Sequence, residues 1–476
     1  MFMYRNSRCR QIAALVVVLA LISAACGGSG SESDTSTDQT TTVATATTVA
    51  PTTTVGTTDD SSETTSATTE STEPLEPLTA SARGVTETEI HIGVSMLDFD
   101  ALKQFNLVEE GWGDQIQVYD AFIDEINARG GIHGRMIVPH YEHYSPLGST
   151  EAEAACIALT QDVETFAVLG GFLGPAEVVN TCIVDINETV LIGGVQTAER
   201  LSVARAPWVS GPAQASRSLR AFLTVLQQSG RMEDRSVAVI GAIEREEVYD
   251  GAGDLLAEFG VDPVLKAFND APAGDVPATD ARWEVLAENI RAVGADTILL
   301  IGSTQGGLRG IKAGGLDVEV WAAESTGLEN LGQETTADDA EGAITSLALT
   351  DQQQWDHEST VECREIARSA ISELPAKGPE AHADGEERWY KGVHLYCRNV
   401  RIFEMLMTAA GRNPDQESFY AAIDGLGEVS LPGMPFASVG SGKPDFNDTF
   451  QLAQFDSSQG EAGALVSITD LFDVTP

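Results

Sequence analysis

The sequence predicts an α/β protein built as two doubly wound parallel-sheet lobes. Short apolar runs such as residues 166–171 and 237–241 recur between stretches of helical periodicity, the pattern of strands buried on both faces. Glycine-marked short connections join them, as an α/β alternation requires. The whole pattern restarts after Ser210-Gly211-Pro212, in a chain of 476 residues that is too long for one core.

At the start, Arg5, Arg8 and Arg10 precede an apolar run over 12–22, and Ser23, Ala24 and Ala25 lead into Cys26. A basic region, an apolar core and small residues make 1–25 a secretory signal peptide, with a run too short for a comfortable membrane span. Leu21-Ile22-Ser23-Ala24-Ala25-Cys26-Gly27 resembles the bacterial lipobox, which implies lipidation of Cys26 and anchoring on the extracytoplasmic face of the membrane. A plain secretory signal is the competing reading. Residues 26–82 are Thr, Ser, Pro, Gly and acid with almost nothing to bury, so they are expected to form a disordered tether. As a flexible coil it would span on the order of 40 Å. Lys plus Arg number 28 against 72 Asp plus Glu, a formal net charge of −44. Such a surface repels phosphate backbones, so nucleic acid is not expected as a partner.

In the first lobe, 89–95 alternates as a strand. Val118, Tyr119, Phe122, Ile123 and Ile126 make an apolar helical stripe that Gly130 and Gly131 stop, and Met136-Ile137-Val138 resumes as a strand. A loop from helix to next strand belongs at the amino end of a parallel sheet, away from a ligand cleft. Thr150 with Glu153 reads as a capping box for a helix to about Asp162, followed by the buried strand at 166–171. A helix from Pro175 and a strand over 190–194 repeat the unit. In the second lobe the order is helix 214–229, strand 237–241, helix, strand near Val264, helix 280–293, strand 296–301, helix and strand 318–323. Strand returns at 343–349, and long helices are expected over 355–374 and 386–411, which need a surface to cover; the first lobe is one candidate.

Besides Cys26 the mature chain has Cys156, Cys182, Cys363 and Cys397, which should oxidise in an exported protein. Three pairings are possible, and proximity in sequence favours Cys156–Cys182 and Cys363–Cys397. Zinc-ligand spacing is absent, so neither a metal nor a cofactor is expected. His140 and His143, three apart in an extended segment, point to opposite faces. The chain has no G-x-S-x-G elbow, and Gly440-Ser441-Gly442-Lys443 runs into Pro444 where a P-loop needs Ser or Thr, so it reads as a turn. No motif supports an enzyme.

Ile92-Gly93-Val94, the run Asn127-Ala128-Arg129-Gly130-Gly131-Ile132-His133-Gly134-Arg135, Pro146 ahead of the Cys156 helix, 166–171 and 190–197 resemble, in that order, the type I periplasmic binding proteins of the leucine/isoleucine/valine-binding kind. Residues 235–240, Gly294-Ala295-Asp296, 311–315 and 390–411 continue the resemblance, which covers about 86–470. It implies two lobes joined by a three-segment hinge, with lobe 1 at 83–208 plus 350–430, lobe 2 at 209–349 plus 431–476, and crossings near 207–211, 325–347 and 428–435. It implies a monomer that closes on a small polar ligand, amino-acid-like or related, and delivers it to the permease of an ABC importer.

By position, the resemblance puts Phe172, Leu173 and Gly174 in the loop after the third strand, Gln196 and Thr197 after the fourth, Tyr249 after the second lobe's first strand, and Glu324 opposite a ligand ammonium. Ser95 and Asp98 would line the cleft from the first loop. Where many relatives hold the ligand carboxylate with a Ser, the Phe172 loop has no hydroxyl. That absence and the long 96–113 loop point to something bulkier or less amino-acid-like than a branched-chain amino acid. A sensor of the same fold signalling to a membrane partner is the nearest alternative, ahead of an unrecognised envelope enzyme.

Overall fold

A computed structural model describes residues 75–476 apart from 105–107, 109, 273–274, 330, 332–333, 375–377, 380–384 and 460–462. The signal peptide, Cys26 and nearly all of the expected tether lie outside the described residues. Among the described residues no helix is long and apolar enough to cross a membrane.

The first lobe holds β1 (Glu89–Leu97), β2 (Met136–Tyr144), β3 (Ala167–Gly170), β4 (Val190–Gly193) and β5 (Trp208–Val209), all parallel, in the order β2-β1-β3-β4-β5. Residues alternate between its two faces. Ile92, Val94, Leu169 and Ile192 pack under the late helices with Val393, Val400 and Phe403, while Val168 and Leu191 face Cys156, Leu159 and Ile183. Full burial on both faces explains why these strands read as unbroken apolar runs, and the surface that the late helices cover is the first lobe.

The second lobe continues with β6 (Val237–Ala242), β7 (Leu265–Asn269), β8 (Thr297–Ile301), β9 (Glu319–Ala322) and β10 (Ile344–Leu347). The chain then returns to the first lobe, where β11 (Gly427–Leu431) and β12 (Met434–Val439) form a hairpin. It comes back as β13 (Thr449–Asp456), antiparallel to β10, and ends with β14 (Ala464–Ser467) and β15 (Phe472–Asp473), both paired with β13. The main path is β14-β13-β10-β9-β8-β6-β7.

The lobe limits differ from those expected. Val209 pairs with Ile192, so the first lobe's sheet runs one residue further. Leu431, Met434, Ala437, Val439 and Phe446 pack in the first lobe's core, which moves the third crossing from 428–435 to the short link between Phe446 and β13. The second moves to the link between β10 and Thr350, because Ile344 pairs with Trp321 inside the second sheet. Backbone bonds from Ser210 N to Pro444 O (2.9 Å) and Phe446 N to Ser210 O (2.9 Å) bind the first and third crossings together.

Several helices also depart from expectation for local reasons. The helix at Ser149–Ile157 has Gly148 as its N-cap and no side-chain cap, so Thr150 lies within the first turn and makes no capping box; Glu151 accepts from Ser145 N instead, at 2.8 Å. The helix expected at 280–293 begins at Val276, because Asp275 accepts from Ala278 N at 3.1 Å and Pro277 suits a first turn. The helix expected over 355–374 is two helices, Asp351–Asp356 and Val361–Ala370, broken where His357 is extended and its ring Nδ1 accepts from Ser359 N at 3.2 Å. The segment at 440–443 is a turn, closed by Lys443 N to Gly440 O at 2.9 Å.

The run from Asn127 to Arg135 owes its composition to this scaffold. Asn127 exchanges two hydrogen bonds with Ile137 at 2.8 and 2.9 Å, fastening the helix end to the start of β2. Gly131 has φ +69°, and a Cβ there would stand 1.9 Å from Arg135 O, so only glycine fits. Arg135, 1% exposed, donates to Thr86 O at 2.5 Å, Thr79 O at 2.7 Å and Asn413 Oδ1 at 3.2 Å. It ties the entry to β1 to the loop after the long Trp389–Ala410 helix.

The structure pairs Cys156 with Cys182 (Cα–Cα 6.4 Å) and Cys363 with Cys397 (6.0 Å). The second bridge clamps the Val361–Ala370 helix onto Trp389–Ala410. Replacing Cys363 and Cys397 together by Ser is expected to cost about 3 kcal/mol by freeing the unfolded chain. Urea unfolding of the oxidised proteins measures it, and an unchanged midpoint contradicts it.

Candidate functional site

Parallel α/β sheets bind ligands beyond the carboxyl ends of their strands, where the strand order reverses. In the first lobe that point lies between β1 and β3, and in the second between β6 and β8. The loops concerned begin at Asp98 and Gly171 on one side and at Ile243 and Gly302 on the other.

In the first lobe much of this edge is committed to its own structure. Ser95 is 6% exposed, and its hydroxyl lies 3.0 Å from Gly171 O and 3.3 Å from Leu169 O, fixing the end of β1 to the loop after β3. Asp98 receives Ala101 N at 2.9 Å and so opens the short Phe99–Gln104 helix. Phe172 does not face a cleft. It is 0% exposed and packs edge-on against Tyr144 with ring centroids 4.9 Å apart. Its N–H donates to Asn180 Oδ1 at 2.7 Å, its carbonyl accepts from Asn180 Nδ2 at 2.9 Å, and Leu173 N–H donates to the Tyr144 hydroxyl at 3.0 Å. Two backbone donors of this loop are thus taken by buried side chains. Gly174, buried with φ +62°, starts the turn that follows.

Gln196 is a hinge residue rather than a cleft residue. Its Nε2 donates to Trp208 O at 3.1 Å and to Pro444 O at 3.4 Å, joining the loop after β4 to the first and third crossings. Thr197 caps the Ala198–Val203 helix by accepting from Arg200 N at 3.2 Å, a role that leaves its O–H proton uncommitted by the cap. Its side chain is half-buried, as are those of Asp98 and Leu173.

In the second lobe Tyr249 leans over the end of β6. A Cβ on Gly241 would stand 2.3 Å from its Cδ2, Phe268 lies 5.1 Å away between centroids, and Lys266 Nζ stands 4.8 Å over its ring. Burial and the nearby Asp250 charge push its phenol above the ordinary range. Glu324, after β9, is ion-paired with Arg245 Nε. Arg245 in turn lies across the end of β8, its Cγ 3.2 Å from where a Cβ on Gly302 would be. The acid assigned to a ligand ammonium therefore already has a cation beside it, and the second lobe presents a charge pair of both signs. Arg245, Asn180 and Tyr144 had not been singled out from the sequence. Asn180 left a trace there, as an amide inside the apolar run 178–184.

An open groove of about 650 Å³ lies elsewhere, on the outer side of the late helices, lined by Glu358, Arg401, Glu404 and Leu426. Glu404 and Thr408 sit near the carboxyl end of the Trp389–Ala410 helix, close to Arg129 and His133, which places the groove at the amino end of the sheet. Among the described residues no group of three or more His, Cys, Asp or Glu is placed to hold a metal ion. His140 lies against His91, with Nε2 and Nδ1 3.0 Å apart.

Two doubly wound lobes joined by three crossings are the architecture of two-lobed binding proteins. Solved structures identify the kind: the fold is that of the type I periplasmic binding proteins. An ABC transporter substrate-binding protein from Desulfitobacterium hafniense, in complex with Leu, superposes with a TM-score of 0.54 at 15% identity, over 80% of this chain and 100% of that one. An amino acid ABC transporter substrate-binding protein from Pseudomonas fluorescens gives 0.53 at 14% identity, over 82% and 96%. A solute-binding protein of an ABC transporter from Rhodopseudomonas palustris, in complex with p-hydroxybenzoic acid, gives 0.50 at 14% identity, over 82% and 98%. The neighbours are substrate-binding proteins rather than enzymes. No family model matches the sequence, and no curated protein matches it significantly.

Proposed function

We propose that this protein is an extracytoplasmic solute-binding protein that captures a small polar ligand between its lobes and hands it to the permease of an ABC importer. It acts as a monomer anchored through lipidated Cys26. The observation that carries the reading is the set of half-buried polar side chains beyond the carboxyl ends of strands in both lobes: Asp98 and Thr197 from the first, and from the second the Arg245–Glu324 pair and Tyr249, which stands in the first turn of the helix after β6. A ligand amine would take the Glu324 carboxylate, and a ligand acid or carbonyl would take Arg245, exchanging one ion pair for two charge-assisted contacts. Binding energy shared by two lobes favours the closed arrangement over the open one. The lack of a hydroxyl in the Phe172 loop, and the use of its N–H groups by Asn180 and Tyr144, support a ligand other than a simple α-amino acid.

A thermal-shift screen with amino acids, amides, aromatic acids and polyamines tests this. A raised midpoint with one class names the ligand chemistry, whereas a shift with leucine alone returns the branched-chain reading and no shift at all removes the support for capture. For an amine-bearing ligand, Glu324→Gln is expected to lower affinity about tenfold or more; unchanged titration isotherms exclude the ammonium contact. Cys26→Ala should move the protein from the membrane fraction to the soluble one, and retention in the membrane would exclude the lipid anchor.

A further inference from the structure

A small cavity of about 170 Å³ in the first lobe, lined by Trp112, Asp351, Gln354, Lys391, His394, Leu395 and Arg398, collects positive charge in a chain of net charge −44. Arg398, 8% exposed, donates from Nε to Pro432 O at 3.1 Å and from Nη2 to Gln354 Oε1 at 3.0 Å. Both acceptors are neutral, and among the described residues no carboxylate forms an ion pair with its guanidinium. Asp351, the acid in the wall, is ion-paired with Lys391. His394 lines the same space at 4% exposure, and its Nε2 meets no hydrogen-bond partner among the described residues. Arg364 adds a further positive charge acting on His394. Two cationic side chains, Lys391 and Arg398, thus line the cavity with one carboxylate and one imidazole, and a third, Arg364, acts on that imidazole from outside the lining.

A buried charge without a counter-charge is costly, and an unpartnered ring nitrogen beside it adds to the cost. One negatively charged acceptor would supply the missing counter-charge. We infer that this cavity binds a small monovalent anion, a halide or a short carboxylate, against the Arg398 guanidinium with the His394 ring at its side. A space equal to the liquid volume of about five or six waters holds either.

The position gives the anion a consequence for the hinge. Arg398 bonds to the turn of the β11–β12 hairpin and to Gln354 just past the second crossing. Its Cδ lies 3.2 Å from where a Cβ on Gly211 would stand, in the first crossing. An ion that fixes this guanidinium therefore stiffens the segments on which the lobes turn. The inference does not depend on what the cleft binds.

The test is the thermal midpoint of the whole protein at pH 7, titrated with sodium chloride or sodium acetate. Ionic strength is held constant with sodium MES, whose ring is too bulky for the space. The expected result is a saturating rise on the order of 2 °C. A rise with chloride alone assigns a halide, and one with acetate assigns a carboxylate. Arg398→Gln should abolish the saturating rise; should that variant fail to fold, His394→Leu should weaken the apparent affinity at least tenfold. Identical midpoints in all three salts overturn the proposal, as does a rise that persists unchanged in whichever variant folds, since the ion would then act elsewhere.

Discussion

Asp448→Ala is expected to destabilise the protein by about 3–5 kcal/mol, because it removes one partner from a buried charge network. Asp448 and Asp445 have no exposed side-chain surface, and Arg217 spans them at 2.9 and 2.7 Å. Lys443 Nζ lies 3.2 Å from Asp448 and Ser438 donates to it at 2.5 Å. Burial pushes the Asp445 carboxyl up and the Lys443 ammonium down, so each is held charged chiefly by its partners. Without Asp448, Arg217 and Lys443 share a single carboxylate and Ser438 loses its acceptor. Arg217 belongs to the Ala215–Gln228 helix just past the first crossing, while Asp448 lies on the third and Asp445 just before it. The loss should appear as a lower urea midpoint, and Arg217→Ala should add little to it, since the two act as a unit. A cost under about 1 kcal/mol in Asp448→Ala would show the network to be neutral, as buried ion pairs sometimes are.

The second large effect is acid lability at His394. Burial first, then the positive charges of Arg398, Lys391 and Arg364, hold its imidazole down to about 3, against an ordinary value of 6.5. The folded form therefore disfavours the proton that the unfolded chain takes up. The stabilisation is complete above pH 6.5 and is lost as pH falls towards 3, amounting to about 4–5 kcal/mol over the full window. Between pH 7 and 4.5 the share is about 2–3 kcal/mol. Urea unfolding at those two pH values, in wild type and His394→Asn, isolates it: the variant should lack that part of the fall. Parallel falls in both proteins would mean that other groups carry the acid sensitivity. An anion beside His394 would raise its affinity for a proton, so the comparison belongs in MES without chloride or acetate.

Much of the fold was legible because parallel strands buried on both faces must be apolar throughout, and because glycines must mark the tight returns. Val168, Leu191, Val239 and Leu299 could hardly sit elsewhere than in such strands. The positions of the loops at strand ends were legible for the same reason, since topology alone puts Thr197, Tyr249 and Glu324 on the carboxyl side. What their side chains meet there was not. Arg245 and Glu324 are 79 residues apart, and nothing local to either announces the other. Asn180 is eight residues from Phe172, yet it reaches that loop only because the intervening chain coils back upon it.

By itself, then, the sequence determined the alternation of strands and helices, the restart that makes a second lobe and the glycine stops, since each is a local pattern, and it favoured, without deciding, the two pairs of neighbouring cysteines. Only the tertiary structure decided that Phe172 is core, that Glu324 is paired, that residues 431–446 belong to the first lobe, and that Arg398 is buried without a carboxylate. Those outcomes rest on which distant side chain occupies the space beside a residue, and burial makes that choice matter most for charged and polar groups.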